Sequence, residues 1–381
     1  MPSPLRVLVA GGGVAGLEAV LALRHLAGER VAIELLSPGP DFVQRPASVA
    51  TPFAGPDAPR LPLDPLESLG VAVHRRGLAA VDAARRRVLC TDGSAHDYGA
   101  LVVAVGARSA EALPGAIHFR GPLSAGVVEG AVRAAVADPD GGLTFAVPAG
   151  ATWPLPLYEL ALLAARTLAE HGVDDPAVTL VTPESRPLEL FGSAGSRAVA
   201  RLLDRAGVDL RPGVTPGAVF DGSLLLEGGD LMPAGQVVAL PRLSGPRVDG
   251  LPHATGGFIP TDEHARVDGA DHVFAAGDAT VGAVKQGGLA AQQADAAAHA
   301  IARAAGVDLE PQPYRPVLRA MLATGDAPLY LRARVGDAVG EASERPLWQP
   351  PGKVGGRHLA GYLAAGEPAL LLEDLTPMTV S

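Results

Sequence analysis

Three glycines near the start of the chain carry its clearest chemistry. Gly11, Gly13 and Gly16 fill the spacing G-x-G-x-x-G within Val7-Leu8-Val9-Ala10-Gly11-Gly12-Gly13-Val14-Ala15-Gly16. The first glycine permits a tight turn, the second lets backbone approach a pyrophosphate, and the third lets a helix pack on a strand. The helix that follows presents the free N–H groups of Val14, Ala15 and Gly16, and the positive end of its dipole, to two phosphates. Other reactive residue types are sparse. Cys90 is the only cysteine, so no intrachain disulfide can form. It precedes Asp92-Gly93 and reads as a buried structural thiol on a strand before a hairpin turn. The ten histidines show no metal-ligand spacing and no Ser/His/Asp motif occurs, so no metal is expected.

The glycine pattern alone is weak in a chain with 47 glycines, and its context is what strengthens it. Leu5–Ala10 reads as a buried strand, Val14–Leu26 as a helix and Val31–Leu36 as a second strand, which makes a βαβ unit. Such units usually place an acid about 20 residues past the glycines to hold ribose hydroxyls. Ser37 stands there as a weaker partner, and Glu34, inside the strand, is an uncertain substitute. Phe42-Val43-Gln44-Arg45-Pro46 opens a proline-rich stretch that reads equally as a surface loop or as a flap over a cofactor. A second βαβ unit runs through Leu143–Val147, Leu155–Ala169 and Ala177–Thr182.

The 381 residues suffice for two or three domains with ample core. A net charge of −10 argues against a nucleic-acid binder, and 4% aromatic content leaves no stacking platform for single strands. No apolar run reaches the roughly 18 residues of a membrane span. Leu155–Ala169 comes nearest but carries Glu159 and Arg166. The first strand begins too early to leave room for a signal peptide, so a cytoplasmic protein is expected.

Taken together, Val9–Gly16, Tyr98-x-x-Leu101-Val102-Val103-Ala104-x-Gly106 and Val273-Phe274-Ala275-Ala276-Gly277-Asp278 resemble the FAD-dependent pyridine nucleotide-disulfide oxidoreductase superfamily. Within it the chain is most similar to the sulfide:quinone oxidoreductase and type II NADH dehydrogenase branch, over about residues 5–310. Gly99 departs from the usual Asp after Tyr98. The resemblance implies an α/β fold with two Rossmann-like dinucleotide-binding domains and a C-terminal cap. Residues 1–110 and 253–310 would form a discontinuous FAD domain, 111–252 a degenerate NAD-type domain, and 311–381 the C-terminal region. It further implies noncovalent FAD held by Gly11, Gly13, Val14, Ala15, Gly16, Ser37, Arg45, Ala104, Gly106, Gly277, Asp278, Lys285 and Gln286. Asp278 would accept from a ribityl hydroxyl. A helix from Gly287 to Ala304 would aim its positive end at the flavin, with Lys285 adding charge.

The second turn departs from its role. Registered on Glu159, the positions of the NAD-binding glycines hold Thr152, Pro154 and Leu157, and Pro154 and Pro156 lack N–H donors. Ordinary NAD(P)H binding is therefore expected to be lost or much weakened. The loop Pro148–Pro156 could cradle something else, and Glu184, at the ribose-holding position, is left vestigial. Sulfide:quinone oxidoreductases also lack this nucleotide site, but they relay electrons through paired cysteines that this chain does not have. The glutamate matching Glu159 in NADH dehydrogenases is thought to assist proton movement, a role open to a carboxylate in an apolar pocket. Residues 311–360 carry seven Lys/Arg and four Asp/Glu without a continuous amphipathic helix, which reads as a cap with at most peripheral membrane contact. The expected function is FAD-dependent electron transfer between a small donor and an acceptor, a quinone being one candidate. The alternatives are a ferredoxin-type NAD(P)H reductase and a flavin-bearing sensor or interaction protein with little turnover. Oligomeric state is not fixed by the sequence.

Overall fold

The computed structural model describes residues 3–173 and 178–365. Ala177, the expected start of a strand, and residues 366–381 of the C-terminal region lie outside the described residues. The first unit contains β1 (Leu5–Ala10), α1 (Val14–Ala27), β2 (Val31–Leu36), β3 (Val71–His74) and β4 (Ala100–Val103). Val7, Leu8, Val9 and Ala10 are at most 1% exposed, as befits a strand covered on both faces. Between β3 and β4 the chain makes a small antiparallel sheet of Leu78–Asp82, Arg87–Cys90 and Ala95–Asp97. Cys90 is a free, buried thiol at the hairpin, as its position suggested.

The second unit is built around β5 (Leu143–Ala146), α2 (Leu155–Glu170) and β6 (Val178–Thr182), with β5 and β6 parallel and in register from Leu143 against Val178. Strands Ile117–His118, Gln236–Ala239 and Asp209–Pro212 complete a five-stranded parallel sheet.

The chain then returns to the first sheet. β7 (Val273–Ala275) pairs in parallel with β4, giving the order β7-β4-β1-β2-β3. This strand is shorter than the expected His272–Ala276. His272 has φ of 61°, a left-handed conformation that ends the extended run before Val273. α3 (Gly287–Ala304) follows and lies along α1. Its sequence explains the close fit. Ala294, Ala297 and Ala298 are fully buried against α1, where Ala19 and Ala22 are equally buried, so two small-residue faces meet. Alanine also has the highest helix propensity.

Residues beyond 310 form an antiparallel sheet of β8 (Val317–Leu322), β9 (Leu329–Arg334) and β10 (Glu341–Ser343), then a short helix α4 (Leu359–Ala365). β8 alternates, with Leu318, Ala320 and Leu322 buried. The sheet is fastened to α3 by Gln292, whose amide donates to the Val317 carbonyl and accepts from the Val317 N–H, both at 2.9 Å. No helix among the described residues is long and apolar enough to cross a membrane.

Candidate functional site

A cleft of about 660 Å³ opens at the C-terminal ends of β1, β4 and β7. Gly11, Gly13, Val14, Ala15, Ser37, Arg45, Ala104, Gly106, Gly277 and Asp278 all line it. Gly11 has φ of 124° and donates its N–H to the Leu36 carbonyl at 2.8 Å. A Cβ on Gly11 would strike the Ala104 carbonyl, and one on Gly16 would strike the Gly11 carbonyl. Gly16 therefore serves the packing of helix on strand. Gly13 differs, because a Cβ there meets no protein atom within 4 Å and would stand in open space beside the cleft. Gly13 is also the N-cap of α1, and no side chain caps it. Those N–H groups are left for an anion, and this cradle fits a dinucleotide pyrophosphate.

Ser37 lines the cleft and donates its hydroxyl to the Gly39 carbonyl at 3.0 Å. Glu34 is turned elsewhere, bonded to Arg6 at 3.0 Å, to His74 at 3.1 Å and to His96 at 3.0 Å. The stretch after Pro40 contains a short strand, Asp41–Val43, paired with Arg60–Pro62, and Val43, Arg45 and Pro46 face the cleft.

A second cavity of about 130 Å³ shares Gly277 and Asp278 with the cleft and is lined by Lys285, Gln286, Tyr314, Pro316 and Val335. Burial pushes the Asp278 carboxyl up, and Lys285 and Arg45 pull against it. Burial pulls the Lys285 ammonium down, and Asp278 opposes that. Lys285 donates to the Thr280 carbonyl and lies 4.3 Å from the centre of the Phe258 ring, a cation–π contact. Gln286 caps α3 by accepting from the Leu289 N–H at 2.9 Å, and it donates to the Arg319 carbonyl at 2.9 Å.

Glu159 is the fifth residue of α2, in its second turn, and is 1% exposed. It accepts from the Ala323 N–H at 2.7 Å and is ion-paired with Lys353. Burial raises its pKa, against the pull of Lys353. Val354 packs near Gly287 and Val14, which both line the cleft, so the pair lies beside the N-terminus of α3. The sequence reading missed Lys353. A signal was present, since only two of the 31 basic residues are lysines, Lys285 and Lys353. Each has a carboxylate neighbour, and their side chains are largely buried, with Lys353 11% exposed. Lysine supplies a compact cation whose charge can be tuned by burial, whereas a guanidinium stays charged.

The turn of the second unit is filled by the protein itself. Leu157 and Tyr158 are fully buried, and Trp153 meets Phe191 edge-on at 5.8 Å. The Tyr158 hydroxyl donates to Glu184 at 2.6 Å, and the Thr182 hydroxyl donates to the same oxygen at 3.0 Å.

Residues 159–303 match the family model described as pyridine nucleotide-disulphide oxidoreductase. A NADH dehydrogenase-like protein of Mycobacterium tuberculosis (strain ATCC 25618 / H37Rv) is 32% identical over 294 residues, covering 72% of each chain. The chain belongs to the pyridine nucleotide-disulphide oxidoreductase family. It is an oxidoreductase whose cofactor is FAD. In fold it is similar to the sulfide:quinone oxidoreductase of Aquifex aeolicus, with TM-score 0.80 and 21% identity over 89% of this chain and 87% of that one. A ferredoxin reductase of Rhodopseudomonas palustris has TM-score 0.67 and 20% identity over 86% and 82%. The two Rossmann-like units expected from the motifs are those of this fold.

Proposed function

We propose that this flavoprotein passes electrons from a small donor other than a nicotinamide nucleotide to a quinone-class acceptor. The observation that carries the reading is the filled second turn. Pro154 and Pro156 offer no N–H, Leu157 occupies a glycine position, and Glu184 is held by Tyr158 and Thr182.

Bound FAD supplies two-electron chemistry. Gly11 and Gly13 with the first turn of α1 would hold its pyrophosphate, and Gly277 with Asp278 would close the site. Glu159 holds a proton at its carboxylate more readily than an exposed glutamate does, and Lys353 fixes its position. Quinone reduction consumes two protons, and a buried carboxyl next to an ammonium can relay them. Ala323, which follows β8 of the C-terminal sheet, covers Glu159 and donates to it. Val281 and Val335, which line the smaller cavity, are 49% and 46% exposed and form an apolar rim suited to an acceptor that is itself apolar.

Anaerobic mixing tests the reading. Dithionite-reduced protein should regain its flavin absorbance within seconds of adding a short-chain quinone, while NADH and NADPH should bleach the oxidised protein slowly. A second reading, with NADH as donor, is favoured by the names of the curated relatives, which call them NADH dehydrogenase-like. Fast, saturable bleaching at sub-millimolar NADH would establish that one in place of ours.

A further inference from the structure

Three side chains distant in sequence meet behind the cofactor cleft, at the junction of α1, α3 and the segment leading into α4. They are Glu18, Asp295 and His358, and one ligand atom from each lies within 4.8 Å of the others. Glu18 is fully buried, His358 is 5% exposed, and the Asp295 side chain is 20% exposed. Glu18 accepts from the N–H groups of His358 and Leu359 at 2.9 and 2.7 Å. Among the described residues neither ring nitrogen of His358 has a hydrogen-bond partner, and neither does Asp295 Oδ1. His358 Nε2 is 3.5 Å from Asp295 Oδ1. That separation is long for a hydrogen bond. It matches the edge of a tetrahedron with metal–ligand bonds of about 2.0–2.2 Å, which is about 3.3–3.6 Å.

Charge points the same way. Two carboxylates share this buried space, and among the described residues neither is ion-paired with lysine or arginine. The cations nearest Asp295 Oδ1 are imidazoles, His358 Nε2 at 3.5 Å and His299 Nδ1 at 3.6 Å, both beyond good hydrogen-bond distance. Burying two carboxylates without full counter-charge is costly, and a divalent ion would supply it. His299 donates to the Asp295 carbonyl at 2.8 Å, and the His25 ring lies 5.2 Å from that of His358, so imidazoles surround the group.

The other histidine cluster, Glu34 with His74 and His96, does not share this property. Arg76 approaches His96 Nε2 at 3.0 Å, and a guanidinium can only donate. The His96 proton is thereby placed on Nδ1, which donates to Glu34 at 3.0 Å and has no lone pair for a metal.

We propose that Glu18, Asp295 and His358 bind a divalent first-row transition ion of the Zn²⁺ class, with water completing its coordination. One nitrogen and two carboxylate oxygens suit such ions. The ion would fasten the segment before α4 to α1 and α3, the two helices whose N-termini face the cofactor cleft.

The test uses the full-length flavoprotein, stripped with a chelator and equilibrated against micromolar Zn²⁺, with bound metal measured by mass spectrometry. One Zn²⁺ per chain is expected, together with a rise in melting temperature. Asp295→Asn and His358→Gln should each weaken uptake at least about tenfold, and His74→Gln should leave it unchanged. Retained flavin absorbance shows that each variant has folded, and either variant alone suffices. No saturable uptake by the wild-type chain, or uptake that survives in a folded Asp295 or His358 variant, overturns the proposal. The readout is independent of donor and acceptor, so its failure is distinct from failure of the functional reading.

Discussion

The Tyr158 hydroxyl and the Glu184 carboxylate are joined by a 2.6 Å hydrogen bond. Glu184 stands where a dinucleotide fold keeps an acid for a ribose, and here that acid is spent inside the protein. A nucleotide would have to break this bond and that from Thr182 and would find no glycine turn to receive its phosphates. NADH and NADPH should therefore reduce the protein slowly, without saturation below millimolar concentration, in anaerobic stopped-flow. Tyr158→Phe should not restore reduction, because the prolines remain.

The same pair has a pH signature. Burial holds the Glu184 carboxyl above its usual range, against the hydrogen bonds from Tyr158 and Thr182. A raised folded-state value means that the stabilising contribution is present below the unfolded value and is lost as pH rises through the folded one. Glutamine does not titrate. The stability of wild type relative to Glu184→Gln should thus be greatest below the unfolded carboxyl value of 4.5 and fall as pH rises through the raised folded-state value, as read by urea unfolding. A difference that grows with pH would contradict this.

Gly13 and Gly16 differ in role and make a paired test. Gly13→Val places a side chain where no protein atom lies, so the chain should fold normally and purify without bound FAD. Gly16→Val drives a side chain into the Gly11 carbonyl and should lower the melting temperature outright. Circular dichroism and flavin release on denaturation separate the two outcomes.

Lys353→Met leaves Glu159 buried without its cation. Loss of one partner of a buried pair costs about 3–5 kcal/mol, so this variant should be markedly less stable in denaturant. The double variant Glu159→Gln/Lys353→Met should recover most of that loss while remaining slow in reaction with quinone. Equal instability of single and double variants would show that the pair has no such coupling.

Lys285 is buried in the lining of the smaller cavity, close to Asp278, which both cavities share. Removing its positive charge disfavours added electrons. Lys285→Met should lower the flavin midpoint potential by roughly 20–40 mV, given that about 30 mV corresponds to 1.4 kcal/mol for a two-electron couple. Spectroelectrochemistry reads the shift directly, and an unchanged potential would assign Lys285 to holding Thr280 and Phe258 alone.

The legible parts of this molecule were those whose signal is local. A strand, a glycine turn and a helix follow one another within Leu5–Ala27, and backbone sterics dictate their residues. The second turn was readable for the same reason, because prolines announce their missing donors. Side-chain partnerships were not readable. Lys353 meets Glu159, and His358 meets Glu18, only because the chain returns to the first unit after building the second. Glu34 shows the converse. Its place in β2 left two directions open, and Arg6, His74 and His96 decided between them.

The scarcity of lysine reaches beyond the active site. With Lys285 and Lys353 both enclosed, the outer basic side chains are guanidinium and imidazole, and reagents that acylate amines will find no exposed lysine among the described residues. Treatment with such reagents should therefore leave both ammonium groups, and the flavin chemistry beside them, untouched.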